Sequence, residues 1–153
     1  MDTKNATSDI LLQCSYNFEV VIANDYGKVF LLAGENTLIC ELMKGYVPIE
    51  EFKEIFNATV PFIEKLGIKK FIFDKQKLRV FHQQSMEWYF LNWKKEIYSL
   101  GLSIHRKILP QNEPLFKLAV EAGLAKIKRE NQDTIISLLD IQYCASVPEA
   151  IKI

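Results

Sequence analysis

From Pro48 onward, short β-type runs alternate with amphipathic helical segments, and this alternation constrains the fold more than any other feature of the chain. A strand that returns through a helix to the next strand makes a parallel pair, with the crossover packed on one face of the sheet. The runs are "KKFIFD" at 69–74, "LSIHRKIL" at 102–109 and a strand within "TIISLLDIQYC". Three more β-type runs precede them: "FEVVIA" at 18–23, "KVFLLA" at 28–33 and "TLICELM" at 37–43. They are joined by "NDYG" and "GEN", which are turn chemistries. The expected order is β-β-β-α-β-α-β-α-β-α. It predicts one mixed sheet, an antiparallel meander first and parallel strands later, with about four helices mainly on one face. Residues 1–9 are polar and are expected as a disordered lead-in, leaving 10–153 as a single domain.

Side-chain alternation assigns faces. In the third run Leu38, Cys40 and Leu42 share one side, and Glu41 points to the other. The consecutive Phe71, Ile72 and Phe73 imply a strand buried on both faces. His105, Arg106 and Lys107 in succession imply a solvated strand at or near an edge, with anion binding as the sharper alternative.

The helices are read from period and caps. In "PIEEFKEIFNATVPFIEKLG", 48–67, the residues Ile49, Phe52, Ile55, Phe56, Thr59, Val60, Ile63 and Leu66 fall on one broad face. Gly67 suits the C-terminal cap, and Pro61 on the wet side predicts a kink. Asn112 and Pro114 open a later helix, and "SVPE" at 146–149 is a capping box for the last one. The stretch "SMEWYFLNWKK" opens an aromatic helix over about 85–100. Met86, Tyr89, Phe90, Trp93, Ile97 and Leu100 lie within an arc of about 100° and are expected in the core. Trp88, Leu91 and Tyr98, with Lys95 between them, form a second stripe on the far side. A neighbouring helix or the 75–84 loop covers this stripe, or it is a candidate partner surface.

Charge and motifs narrow the function. Lys+Arg and Asp+Glu are 19 each, so no net field draws in nucleic acid. No apolar run approaches the roughly 20 residues of a membrane span, and the polar start is unlike a secretory signal. Three widely spaced cysteines suit reduced thiols in the cytoplasm. There is no phosphate loop, zinc spacing or nucleophile elbow, so no catalytic, metal or cofactor residue is assigned. Asp74 ends a strand where α/β crevices form, though capping of loop N–H groups ranks first for it. His82 reads as a loop histidine and Ser85 as the N-cap of the aromatic helix, a position that would also suit a phosphate. Asp74, His82 and Ser85 together are the candidate loop site.

The stretches "GYVPIEEFKEIF", "GIKKFIFD", "MEWYFLNWKKEIYSLGL" and "YCASVPEAIKI" resemble the small STAS-like proteins. These are related to the sulfate-transporter and anti-sigma-factor-antagonist domain and more loosely to CRAL-TRIO lipid-transfer domains. The resemblance covers about Val29 to the C-terminus and implies a mixed sheet with helices mainly on one side. It places the family's strand-end aspartate at Asp74, and its helix tryptophan and terminating glycine at Trp88 and Gly101. Where phosphorylatable members carry Asp-Ser-Ser/Thr-Gly, this chain reads "FHQQSMEW", without the acidic residue or the glycine. The expectation is a non-enzymatic regulatory module acting on a protein partner or a second copy of itself, without a cofactor. The alternative is a carrier or sensor of a small apolar ligand or lipid.

Overall fold

A computed structural model describes residues 6–131 and 135–153. Among the described residues six strands form one sheet in the order β1-β2-β3-β4-β5-β6. These are β1 (Glu19–Ala23), β2 (Gly27–Leu32), β3 (Thr37–Leu42), β4 (Lys70–Asp74), β5 (Ile104–Ile108) and β6 (Asp140–Tyr143). The pairs β1–β2 and β2–β3 are antiparallel, and β3–β4, β4–β5 and β5–β6 are parallel. The mixed sheet expected from the order of runs is the one observed. At the first hairpin the Asn24 carboxamide accepts from the N–H groups of Tyr26 and Gly27, at 2.8 and 3.0 Å, which fixes the turn.

The helices are α1 (Thr7–Gln13), α2 (Ile49–Leu66), α3 (Gln83–Trp88), α4 (Lys94–Ser99), α5 (Pro114–Glu130) and α6 (Val147–Lys152). A π turn, Tyr89–Trp93, joins α3 to α4, so the three make one aromatic helix. One face of the sheet packs α2, the aromatic helix and α5 over Leu38, Cys40, Leu42, Phe71 and Phe73. The other packs the short α1 and α6 over Phe30, Ile39, Ile72 and Ile108. Strand alternation decides which side chain enters which core, as expected for β3 and β4.

Several local expectations change. Residues 1–5 lie outside those described, but Thr7–Asp9, expected as lead-in, open α1. Thr7 is fully buried, donating its hydroxyl to the Asp74 carboxylate at 3.0 Å. Leu11 then anchors α1 in the second core, with Ile10 packed at its margin. Ser85 is not the N-cap of the aromatic helix: the helix starts two residues earlier, and the His82 side chain caps it by accepting from the Ser85 N–H. Glu113, not Asn112, is the N-cap of α5. Pro61 stays on the exposed side within α2, and Gly67 takes the left-handed cap at φ +61°.

The largest correction concerns β5. It lies between β4 and β6, and His105, Arg106 and Lys107 are all buried. They are tolerated for different reasons. Arg106 faces the second core, where its guanidinium donates to the carbonyls of His105, Asp140 and Ile153 and to the Asp140 carboxylate at 3.0 Å. His105 and Lys107 face the aromatic core and have no comparable network.

Candidate functional site

The sheet's aromatic face places Phe73 opposite Lys107 in the parallel β4–β5 register, with Lys75 two residues beyond Phe73 on the same side. Lys75 is tied there by its N–H, which donates to the Ile108 carbonyl at 2.9 Å. Above this strip lies the aromatic helix. Its π turn adds a residue to one turn, so the helix presents Tyr89, Phe90, Trp93 and Lys94 inward together. Tyr89 stacks on Trp93 with centroids 5.2 Å apart, and the Trp93 indole donates to the Thr59 hydroxyl at 3.0 Å. Lys94, which a regular helix would leave at the flank of the stripe, is drawn fully inside.

Three lysines therefore sit in the aromatic core. Relative exposure is 8% for Lys75, 0% for Lys94 and 1% for Lys107. Among the described residues none of their ammonium groups forms a hydrogen bond or ion pair. They meet ring faces instead. The Lys94 Nζ is 4.6 Å from the Tyr89 centroid, the Lys107 Nζ is 4.3 Å from that of Phe90, and the Lys75 Nζ is 5.1 Å from that of Phe73. Ring quadrupoles stabilise a cation by roughly 0.5–2 kcal/mol, less than the several kcal/mol lost on removing it from water. Burial accordingly pushes the Lys75 amine down to about 8. The Lys94 and Lys107 amines fall well below the usual lysine range, through burial first and then mutual repulsion. His105, buried beneath Trp93 with both ring nitrogens unpartnered, is pushed down for the same reasons.

A pocket opens onto this cluster between the aromatic helix, the 75–84 loop and α5. Its cavity volume is about 60 Å³, room for several water molecules. Its walls are chiefly apolar, with Leu42, Phe52, Phe73, Leu78, Phe116 and Val120 among them. Val80 at the rim is 49% exposed, whereas Lys107 and Tyr89 are deeply buried. Tyr89 lines the pocket, and its hydroxyl is buried with no partner among the described residues; burial raises its pKa well above the ordinary value. Gly123 lets α5 close over the site, because a Cβ there would stand 2.9 Å from the Phe81 ring.

The acids of the region lie on the opposite side of the sheet. Glu41 and Asp74 are register partners at the ends of β3 and β4. Glu41 accepts from the Thr7 N–H and pairs with Lys77 at 3.2 Å. Asp74 accepts from Thr7 and from both the backbone N–H and the carboxamide of Gln76. Burial raises both carboxyl pKa values.

The expected loop trio is therefore divided. His82 and Ser85 line the pocket, their Nδ1 and Oγ 2.8 Å apart, while Asp74 caps the loop on the far face. Ser85 is buried, so its hydroxyl is not a surface acceptor for phosphate. In the expected partner stripe Lys95 is exposed, and Trp88, Leu91 and Tyr98 are half-buried. Trp88 packs edge-on against Phe52 of α2 at 6.1 Å, with the Lys53 Nζ 5.9 Å from its ring centroid. Sequence reading missed Lys75, Lys94, Lys107 and Tyr89 as a group. The available signal was the alternation that puts Lys107 on the same face as Phe71 and Phe73.

No family model, curated protein or solved structure matches the chain. Among the described residues no helix is long and apolar enough to cross a membrane.

Proposed function

We propose that this protein is a non-enzymatic, STAS-like binding module whose pocket holds a small ligand with an apolar body. Its regulatory output would follow occupancy of that pocket. The observation that carries this reading is a concave, mainly apolar pocket that ends on deeply buried polar groups without protein partners, the usual make-up of a small-molecule site. Buried donors are ordinarily satisfied, and leaving one unmade costs about 1–3 kcal/mol. A ligand that supplies acceptors removes that cost. The aromatic helix forms one wall and its π turn sets which residues reach the pocket, so occupancy has a direct route to the helix surface. The proposal places the protein in the cytoplasm, where its three free cysteines remain reduced.

The second reading is a protein or homodimer contact at the outer side of the same helix. It is favoured by the half-open Trp88 ring, with the Lys53 ammonium 5.9 Å from its centroid and exposed Lys95 further along the same stripe. Native mass spectrometry of the purified chain, combined with ligand-observed NMR using octan-1-ol, separates the two. The pocket reading expects a co-purified apolar molecule or octanol binding, with octanol binding abolished in Leu78→Trp, which fills the pocket. A chain that carries nothing and takes up no octanol contradicts it. A bare dimer dissociated by Trp88→Ala with Leu91→Ala would support the second reading instead.

A further inference from the structure

Lys75 and Lys107 both line the pocket, and neither amine has a protein acceptor among the described residues; the buried hydroxyl of Tyr89, whose ring lies against Lys107, has none either. His82 and Ser85, the other polar lining residues, are engaged with each other. The two carboxylates that could have neutralised the lysines, Glu41 and Asp74, project to the opposite face and are held there by Thr7, Lys77 and Gln76. A strand period of two separates the charges: acids on one side of β3 and β4, amines on the other side of β4 and β5. Among the described residues the amine side thus lacks a counter-charge, and an apolar pocket lies beside it.

We propose that the pocket selects an apolar ligand carrying one carboxylate, with the amines of Lys75 and Lys107 as its receptor. This rests on the pocket reading above and names the ligand's head group. The ligand brings the acceptor and the negative charge together, and the apolar walls take its body. A second consequence is proton uptake. In the empty pocket burial favours the neutral amines, and a carboxylate beside them favours the ammonium form, so the complex gains protons from solvent. The titratable groups around the amines are Cys40 from β3, His105 from β5, Tyr143 from β6, and His82, Tyr89 and Lys94 from the aromatic helix and its start. The side chains that α2 and α5 contribute to the walls, Phe52, Phe116 and Val120, are apolar. None of these neighbours supplies a negative charge near neutral pH, because burial raises the Cys40 and Tyr89 pKa values. The ligand carboxylate would be the counter-ion.

The test is calorimetric titration of the full chain with octanoate and with octan-1-ol near pH 8, in two buffers of different ionisation enthalpy. Lys75→Met and Lys107→Met are run alongside, and thermal unfolding verifies that each variant is folded. Octanoate should bind about tenfold or more tightly than octan-1-ol, since a buried charge contact is worth more than its neutral counterpart. Its buffer dependence should report uptake of roughly one proton. Each variant should lose most of the preference for octanoate while its affinity for octan-1-ol stays near wild type. Equal binding of the two ligands without buffer dependence would overturn the carboxylate assignment and leave the pocket reading standing. Failure of both to bind would remove the pocket reading, and this inference with it.

Discussion

Replacing Lys75 by methionine isolates what a buried amine costs this fold. Methionine keeps an unbranched stem against Phe73 and removes the ammonium group. Burial lowers the Lys75 pKa from 10.5 to about 8. At about 1.36 kcal/mol per pH unit, that difference opposes folding by about 3 kcal/mol at neutral pH. The sign follows from proton counting. Between about pH 8 and 10.5 the unfolded chain holds a proton that the folded chain has released, so wild-type stability rises with pH across this window. Below about pH 8 the penalty is complete. Losing the contact of the Lys75 Nζ with the Phe73 ring offsets roughly 0.5–1 kcal/mol of the gain. Lys75→Met should therefore be more stable than wild type by about 2 kcal/mol at pH 7, raising Tm by roughly 4–8 °C. The advantage should shrink as the pH approaches 10.5. Urea unfolding at pH 7 and at pH 10 measures both. A variant no more stable than wild type at pH 7, with the same difference at pH 10, would refute the reasoning, because the amine would then be charged and well partnered in the folded protein.

Two further substitutions probe the surroundings of the site. Thr59→Val keeps the shape of the side chain but leaves the buried Trp93 indole N–H without its acceptor; urea unfolding should show a loss of about 1–3 kcal/mol. Arg106→Met removes the donors that hold the carbonyls of Asp140 and Ile153, and should cost about 2–4 kcal/mol, nearly all from the buried arginine side because the Asp140 carboxylate faces water. Arg106 holds the Asp140 carboxyl below its ordinary pKa, so an NMR titration of this variant should show that pKa move up toward the usual aspartate value.

The alternation of β-type runs with amphipathic segments made the sheet order legible, because period and length separate strands from helices. The inward faces of α2 and the aromatic helix were legible in their middles for the same reason: Phe52, Ile55, Phe56, Met86, Tyr89, Trp93 and Ile97 are all buried, whereas Ile49, Val60 and Leu100 are half-buried and Leu66, at the end of α2, is exposed. The charged residues were harder to read. Arg106 and Lys107 are adjacent and equally buried, yet the two terminal nitrogens of Arg106 find acceptors on β5, on β6 and at Ile153, while the Lys107 amine meets only aromatic rings. That difference depends on residues 34 and 47 positions away, beyond any local pattern. Lys94 illustrates a second limit. On a regular wheel it borders the apolar arc, and the π turn brings it fully inside. The early helix α1 was missed because its docking rests on Thr7 and Leu11 meeting partners on distant strands.

The central claim is that the pocket ends on amines held without a protein counter-charge. Titrating the lysine side-chain resonances of isotopically labelled protein by NMR, with assignments from single Lys→Met variants, measures this directly. Lys75 should titrate near pH 8, and Lys107 well below the ordinary lysine range. Midpoints near 10.5 for both would contradict it.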